Sequence, residues 1–97
     1  MNKGELVESI ARGYYDGRRA EAELALKAVV ETVMLETART GRVAISGFGI
    51  FEKLHREART VRNPKTGARK AVDAKDYVRF RAGTRLEGMV SGAIPLG

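Results

Sequence analysis

Between Leu6 and Tyr14 the apolar positions are Leu6, Val7, Ile10, Ala11 and Tyr14, the three-and-four spacing of one helix face. Asn2 stands just ahead of this run with Glu5 three residues later, which predicts a capping box with Asn2 as the N-cap. Gly13 weakens the end of the helix, and Asp16-Gly17 signals a turn. A second, longer pattern follows, in which Ala22, Leu26, Val29, Val30 and Val33 form one stripe, continued by Thr37. Glu21, Glu23, Lys27, Glu31 and Arg39 sit mostly off that stripe, and Thr40-Gly41 stops it. Two helices on a short connection make a helical hairpin over residues 1–41.

From Arg42 the period shortens. Val43, Ala44, Ile45 and then Ile50, Phe51 read as strand, interrupted by a tight turn or bulge at Gly47-Phe48-Gly49. Strand character continues through residues 52–62, where basic groups fall on both parities: Lys53 and Arg59 on one face, Arg56 and Arg62 on the other. Unpaired charge is costly to bury, so neither face can be a core face. Arg62-Asn63-Pro64-Lys65-Thr66-Gly67 is a turn, with Asn-Pro to begin it and Gly67 to supply a positive φ. A return strand runs through Arg69, Lys70, Ala71 and Val72, and Tyr77 to Arg81 alternates as a further strand. Thr84 and Glu87 predict a second capping box on a short last helix bearing Leu86, Met89 and Val90, which Gly88 weakens by about 1 kcal/mol relative to Ala. The result is an α+β class: helical hairpin, small antiparallel sheet over 42–82, long β-ribbon arm over 53–75, terminal helix over 83–92 and a frayed tail over 93–97. A two-stranded ribbon is marginal alone in water, so this arm should be mobile until an anionic partner orders it.

Charge sharpens that picture. The chain has 97 residues and a net charge of +6, unevenly spread. Residues 1–52 carry seven Lys/Arg against eight acids, a net of −1. Residues 53–85 carry eleven against only Glu57, Asp73 and Asp76, a net of +8. Concentrating the cationic field on a core-less ribbon is what a polyanion-binding surface requires. A chain this short also buries only about two-thirds of its unfolded surface, which makes oligomerisation an expectation before any motif is read.

Other chemistries find little support. With no Cys and a single His, thiolate metal sites, disulfides and the usual zinc constellations are excluded. His55 lies between Lys53 and Arg56, with no nucleophile or carboxylate pair beside it in sequence. Gly47-x-Gly49 lacks the third glycine and following helix of a dinucleotide fingerprint. No apolar run approaches the roughly 20 residues of a membrane span. The expectation is an intracellular protein without catalytic activity, cofactor, metal or small-molecule substrate, acting away from membranes.

Gly47-Phe48-Gly49-Ile50-Phe51 followed by Arg62-Asn63-Pro64-Lys65-Thr66-Gly67 closely resembles the bacterial HU/IHF family of histone-like DNA-bending proteins. The likeness starts at Met1-Asn2-Lys3 and runs through Val90, so it covers nearly the whole sequence as one domain, residues 1–92. Asp16-Gly17-Arg18-Arg19 and the ending around Phe80-Arg81 and Val90-Ser91-Gly92-Ala93 look most like the actinobacterial HU type, though without the long Lys/Ala-rich tail of some relatives. The resemblance implies an intertwined homodimer, or a heterodimer with a paralogue, that bends double-stranded DNA with its two arms. Phe48, Phe51 and Phe80, with Val30 and Val33, match its dimer core; read from the residues alone, the aromatics could equally fill an intrachain core.

Pro64 by itself would rigidify a turn, whereas the resemblance implies insertion between base pairs. Architectural minor-groove proteins, this family among them, offset an unstacking penalty of a few kcal/mol with the extra contacts of a bent duplex. On the arm, Lys53, His55, Arg56, Arg59, Arg62, Lys65, Arg69 and Lys70 are the candidate phosphate contacts, and Asn63 shapes the tip. Lys75, Arg79, Arg81 and Arg85 are candidates for a saddle between the arms, where Thr84 and Glu87 replace lysines of the common HU pattern. Lys3, Arg18 and Arg19 are candidate flanking contacts. Binding through phosphates implies little sequence preference. An IHF-like, site-specific bending subunit and a structural RNA-binding protein are the rival readings.

Overall fold

The computed structural model describes residues 1–97. The chain runs α1 (Lys3–Tyr14), α2 (Arg19–Thr40), β1 (Arg42–Ile45), β2 (Gly49–Arg56), β3 (Arg59–Arg62), β4 (Arg69–Val72), β5 (Lys75–Ala82) and α3 (Thr84–Ser91). It divides into two compact units, Met1–Leu35 and Glu36–Gly97. No helix is long and apolar enough to cross a membrane.

In the first unit the capping box forms. Asn2 Oδ1 accepts from the Glu5 backbone N–H at 2.9 Å, and Glu5 Oε1 accepts from the Asn2 N–H at 3.4 Å. After Tyr14 the chain turns through two left-handed residues, Asp16 (φ 49°) and Gly17 (φ 80°). Packing α1 on the start of α2 buries Val7, Ala11 and Ala22, with Ile10, Tyr15 and Leu26 against them.

The single stripe expected along α2 is too narrow a description. Leu24, Val29, Met34 and Leu35 are each 59–68 % exposed, and Val30 is 43 % exposed. The physical reason is length. A 12-residue α1 shields only one side of a 22-residue helix that is apolar on several faces.

In the second unit β2 is central, antiparallel to β1 on one side and β5 on the other. The turn before β2 closes with the Phe48 N–H donating to the Ile45 carbonyl at 3.0 Å. Phe51 and Phe80 face each other across β2 and β5 with ring centroids 4.8 Å apart, and Phe48 lies 5.6 Å from Phe80. These are the tilted contacts aromatic quadrupoles favour. The cluster is only half built, since Phe48 and Phe80 remain 47 % and 42 % exposed.

Two sequence expectations change at the C-terminus. Thr84 is the first helical residue of α3 and Gly83 its N-cap, with no side-chain cap, so the Thr84–Glu87 box does not form. There is no room for a capping side chain: a Cβ on Gly83 would lie 2.6 Å from the Gly47 carbonyl carbon and oxygen. Within the tail expected to fray over 93–97, Ile94 turns back onto α3, its N–H donating to the Gly88 carbonyl at 2.9 Å, while Leu96 is 78 % exposed. Gly88 permits this because a Cβ there would meet the Ile94 side chain at 2.5 Å. The helix-propensity penalty of that glycine is exchanged for a packing contact.

Candidate nucleic-acid interface

The ribbon expected to run unbroken over 53–75 is interrupted. The β2–β5 ladder ends at Arg56 opposite Lys75, and the β3–β4 ladder resumes at Arg59 opposite Val72. Lys53, His55, Arg56 and Lys75 therefore belong to the three-stranded sheet, and the free ribbon is β3, the tip and β4. Residues 57–58 and 73–74 form the break between the two ladders.

Between Ala58 and Val72 there is no acidic residue, while Arg59, Arg62, Lys65, Arg69 and Lys70 are all exposed. None of the five forms an ion pair with a carboxylate. Arg59 and Lys70 share one face of the ribbon with Val61 and Val72, which are half-buried. Arg62 and Arg69 lie directly opposite each other on the other face. Like charges in directly opposed positions destabilise a ladder. An anion between them would relieve that repulsion.

The tip is held by its own groups. Asn63 Oδ1 accepts from the Lys65 N–H at 2.8 Å and from the Thr66 N–H at 3.4 Å. The Asn63 carbonyl accepts from the Gly67 N–H at 2.8 Å, and Gly67 takes the positive φ (72°) that closes the loop. With Asn63 occupied in shaping the turn, Pro64 is left exposed at the extremity, a rigid apolar ring among cations.

On the sheet Lys53, His55, Arg79 and Arg81 are engaged, whereas Arg56 and Lys75 have no carboxylate partner. Lys53 Nζ donates to the Ala38 carbonyl at 3.2 Å and lies 3.8 Å from Asp76 Oδ2. His55 sits between two carboxylates, Nδ1 2.7 Å from Asp76 Oδ1 and Nε2 3.1 Å from Glu57 Oε1. The His55 hydrogen bond, opposed by partial desolvation and assisted by Lys53, holds the Asp76 carboxyl below its usual range. Arg79 and Arg81, candidate saddle contacts, both reach Glu52. Arg56 is half-buried, whereas Arg85 on α3 is exposed and without a carboxylate partner. In the first unit Arg18 pairs with Glu21 at 3.0 Å and Arg19 with Glu8 at 2.8 Å, while Lys3 is exposed and unpaired.

Sequence reasoning missed the three acids that answer these cations: Glu52, Glu57 and Asp76. The signal was register. Once Phe51 is placed opposite Phe80, Glu52 must face Arg79 and His55 must face Asp76.

A small antiparallel sheet that projects a cationic, acid-free β-ribbon is the construction of a ribbon-type nucleic-acid-binding protein. The comparisons with known proteins agree. The chain belongs to the family described as bacterial DNA-binding protein, whose pattern matches residues 1–91. It is 43 % identical over 93 residues to DNA-binding protein HU 2 of Streptomyces coelicolor, covering 96 % of this chain and 42 % of that relative, so it spans about two-fifths of that protein's length. It is 39 % identical over 97 residues to integration host factor subunit beta of Marinobacter nauticus, covering 100 % of this chain and 99 % of that one. Among solved structures it is similar to the Anabaena HU–DNA cocrystal, with a TM-score of 0.79 and 35 % identity over 94 % of this chain and 98 % of that one.

Proposed function

We propose that this chain is an architectural protein of the bacterial nucleoid that bends duplex DNA with little regard to sequence. The observation that carries the reading is the β3–β4 ribbon: five unpaired cations, no acid, and Pro64 exposed at the tip. In this reading Arg59, Arg62, Lys65, Arg69 and Lys70 grip phosphates, and Pro64 wedges into a base step. Arg56, Lys75, Arg79, Arg81 and Arg85 continue the contact toward the body, with Lys3, Arg18 and Arg19 as flanking contacts. Affinity comes from counterion release, with a log–log salt slope near −0.9 per phosphate neutralised.

The functional unit is a dimer. A second copy supplies cover for the exposed apolar surface of α2 and for Phe48, Val78 and Phe80, which are 42–64 % exposed. Val30 and Val33 belong to the same interface. The full-length similarity to an integration host factor subunit supports a second reading, in which bending is confined to particular sites. A footprint restricted to one sequence would favour that reading, and uniform coverage the first.

Gel shifts on intact, nicked and gapped duplexes of equal length, each at two salt concentrations, test the proposal. A protein that bends its target binds the nicked and gapped forms more tightly, because less deformation work remains. Double-stranded RNA, whose A-form grooves do not present the same target, should compete poorly. Equal affinity for all three duplexes, or effective competition by the RNA, would overturn the bending mechanism.

A further inference from the structure

Arg79 and Arg81 are two residues apart on β5 and therefore project from the same face of the sheet. Glu52 stands opposite Arg79 in the β2–β5 register and diagonal to Arg81, on the face away from the Phe51–Phe80 pair. Its Oε1 accepts from Arg81 Nε at 2.5 Å and from Arg79 Nη2 at 3.4 Å. The Glu52 side chain is only 17 % exposed, whereas the two arginines are 51 % and 52 % exposed. One shielded carboxylate thus occupies two guanidiniums whose flanks are open to solvent. Partial desolvation raises the Glu52 carboxyl, but the hydrogen bonds and charges of Arg81 and Arg79 outweigh it and leave its pKa lowered.

We propose that Glu52 is an acidic latch on the cationic face of β5: it holds Arg79 and Arg81 when DNA is absent and yields them to backbone phosphates when the duplex seats on the sheet. This rests on the reading that the β5 face meets DNA. The arm and the sheet then engage by different exchanges. Arm cations trade only solvent and counterions for phosphate. The sheet arginines must also give up an internal partner, and the released carboxylate gathers a cation that DNA binding would otherwise have set free. Glu52 therefore subtracts from both affinity and salt dependence, and it makes body contact a later, conditional step. That arrangement suits a protein that should hold deformable duplexes in preference to straight ones, because only a duplex already curved toward the sheet brings phosphates close enough to compete.

The test is a double-mutant cycle read by fluorescence anisotropy on a labelled duplex of about 30 base pairs over a salt series. Glu52→Gln removes the charge and keeps the shape; Glu52→Ala removes both, so the two together separate a lost charge from lost packing. Both variants should bind about five-fold more tightly than wild type, with a salt slope steeper by up to one unit. In an Arg79→Ala/Arg81→Ala background, which should itself bind more weakly, Glu52→Gln should bring almost no gain. If Glu52→Gln weakens binding or leaves it unchanged while the arginine pair still matters, Glu52 is a brace and the latch is wrong. A full gain persisting without the arginines would reduce the effect to bulk charge and also overturn it. If removing the arginines leaves affinity unchanged, the contact between β5 and DNA itself fails.

Discussion

The arm and the sheet carry the same kinds of cation and treat them in opposite ways. On β3 and β4, Arg59, Arg62, Arg69 and Lys70 have no acidic partner, and Arg62 even faces Arg69 directly. On β2 and β5, Lys53, His55, Arg79 and Arg81 are each matched by Asp76, Glu57 or Glu52. The sheet has an aromatic cluster on one face to organise it, while the ribbon has only Val61 and Val72 half-buried. The lesson is a division of labour. Lys53, His55, Arg79 and Arg81 find carboxylates within the fold, while the arm cations find none, and under the proposed function the duplex supplies the missing anion.

That contrast gives graded ways to break it. The largest effect should follow Phe51→Ala, which removes the half-buried ring packed 4.8 Å from Phe80 in the aromatic cluster. A loss of about 2–3 kcal/mol is expected in chemical denaturation, while an arm substitution such as Arg59→Ala should stay within about 0.5 kcal/mol. Comparable losses at both places would erase the distinction between a structural sheet and a ligand-gripping arm.

Next comes the arm's charge. Changing Arg59 and Arg62 together to Ala should lower the steepness of the salt dependence by roughly one unit per residue. A slope that does not move would take these residues out of the contact set. Pro64→Ala should act differently, keeping most of the affinity for straight duplex while reducing the bend. A short duplex labelled at both ends should then show a smaller change in energy transfer, and an undiminished change would refute the wedge.

The smallest effect belongs to the arm's root. Asp76 titrates below its usual range through its bond to His55, so its contribution to stability is present above the unfolded pKa, near 3.9, and is lost as pH falls through the folded value. Asp76→Asn should therefore be modestly less stable than wild type near neutrality, with the gap closing below about pH 4. A gap that persists undiminished well below pH 4 would contradict the assignment.

Much of this is legible in the sequence. The Asn2 cap, the glycine stop at Gly41, the turn at Asn63–Gly67 and the clustering of cations are local chemistry, and local chemistry survives folding. Apart from Glu57 beside His55, the misses were non-local. The break at residues 57–58 and 73–74 depends on how two ladders meet, and the Gly83 cap on how closely Gly47 approaches. The docking of Ile94 depends on a cleft that only Gly88 leaves open. Two of the acids that quiet the sheet's cations, Asp76 and Glu52, lie more than 20 residues from His55, Arg79 and Arg81 and become neighbours through register alone. Charge counting found the arm because nothing there opposes it. It overstated the sheet because it had no means of pairing Glu52 with Arg79 and Arg81.

The most direct measurement replaces residues 58–73 with a two-residue turn and follows binding to a nicked duplex across a salt series, together with thermal unfolding. The account predicts a shortened protein whose thermal unfolding is nearly that of the full chain, but whose affinity falls by about two orders of magnitude and whose salt slope drops by about four to five units for each arm that grips the duplex. A shortened chain that still bends the nicked duplex with near-native affinity would contradict it.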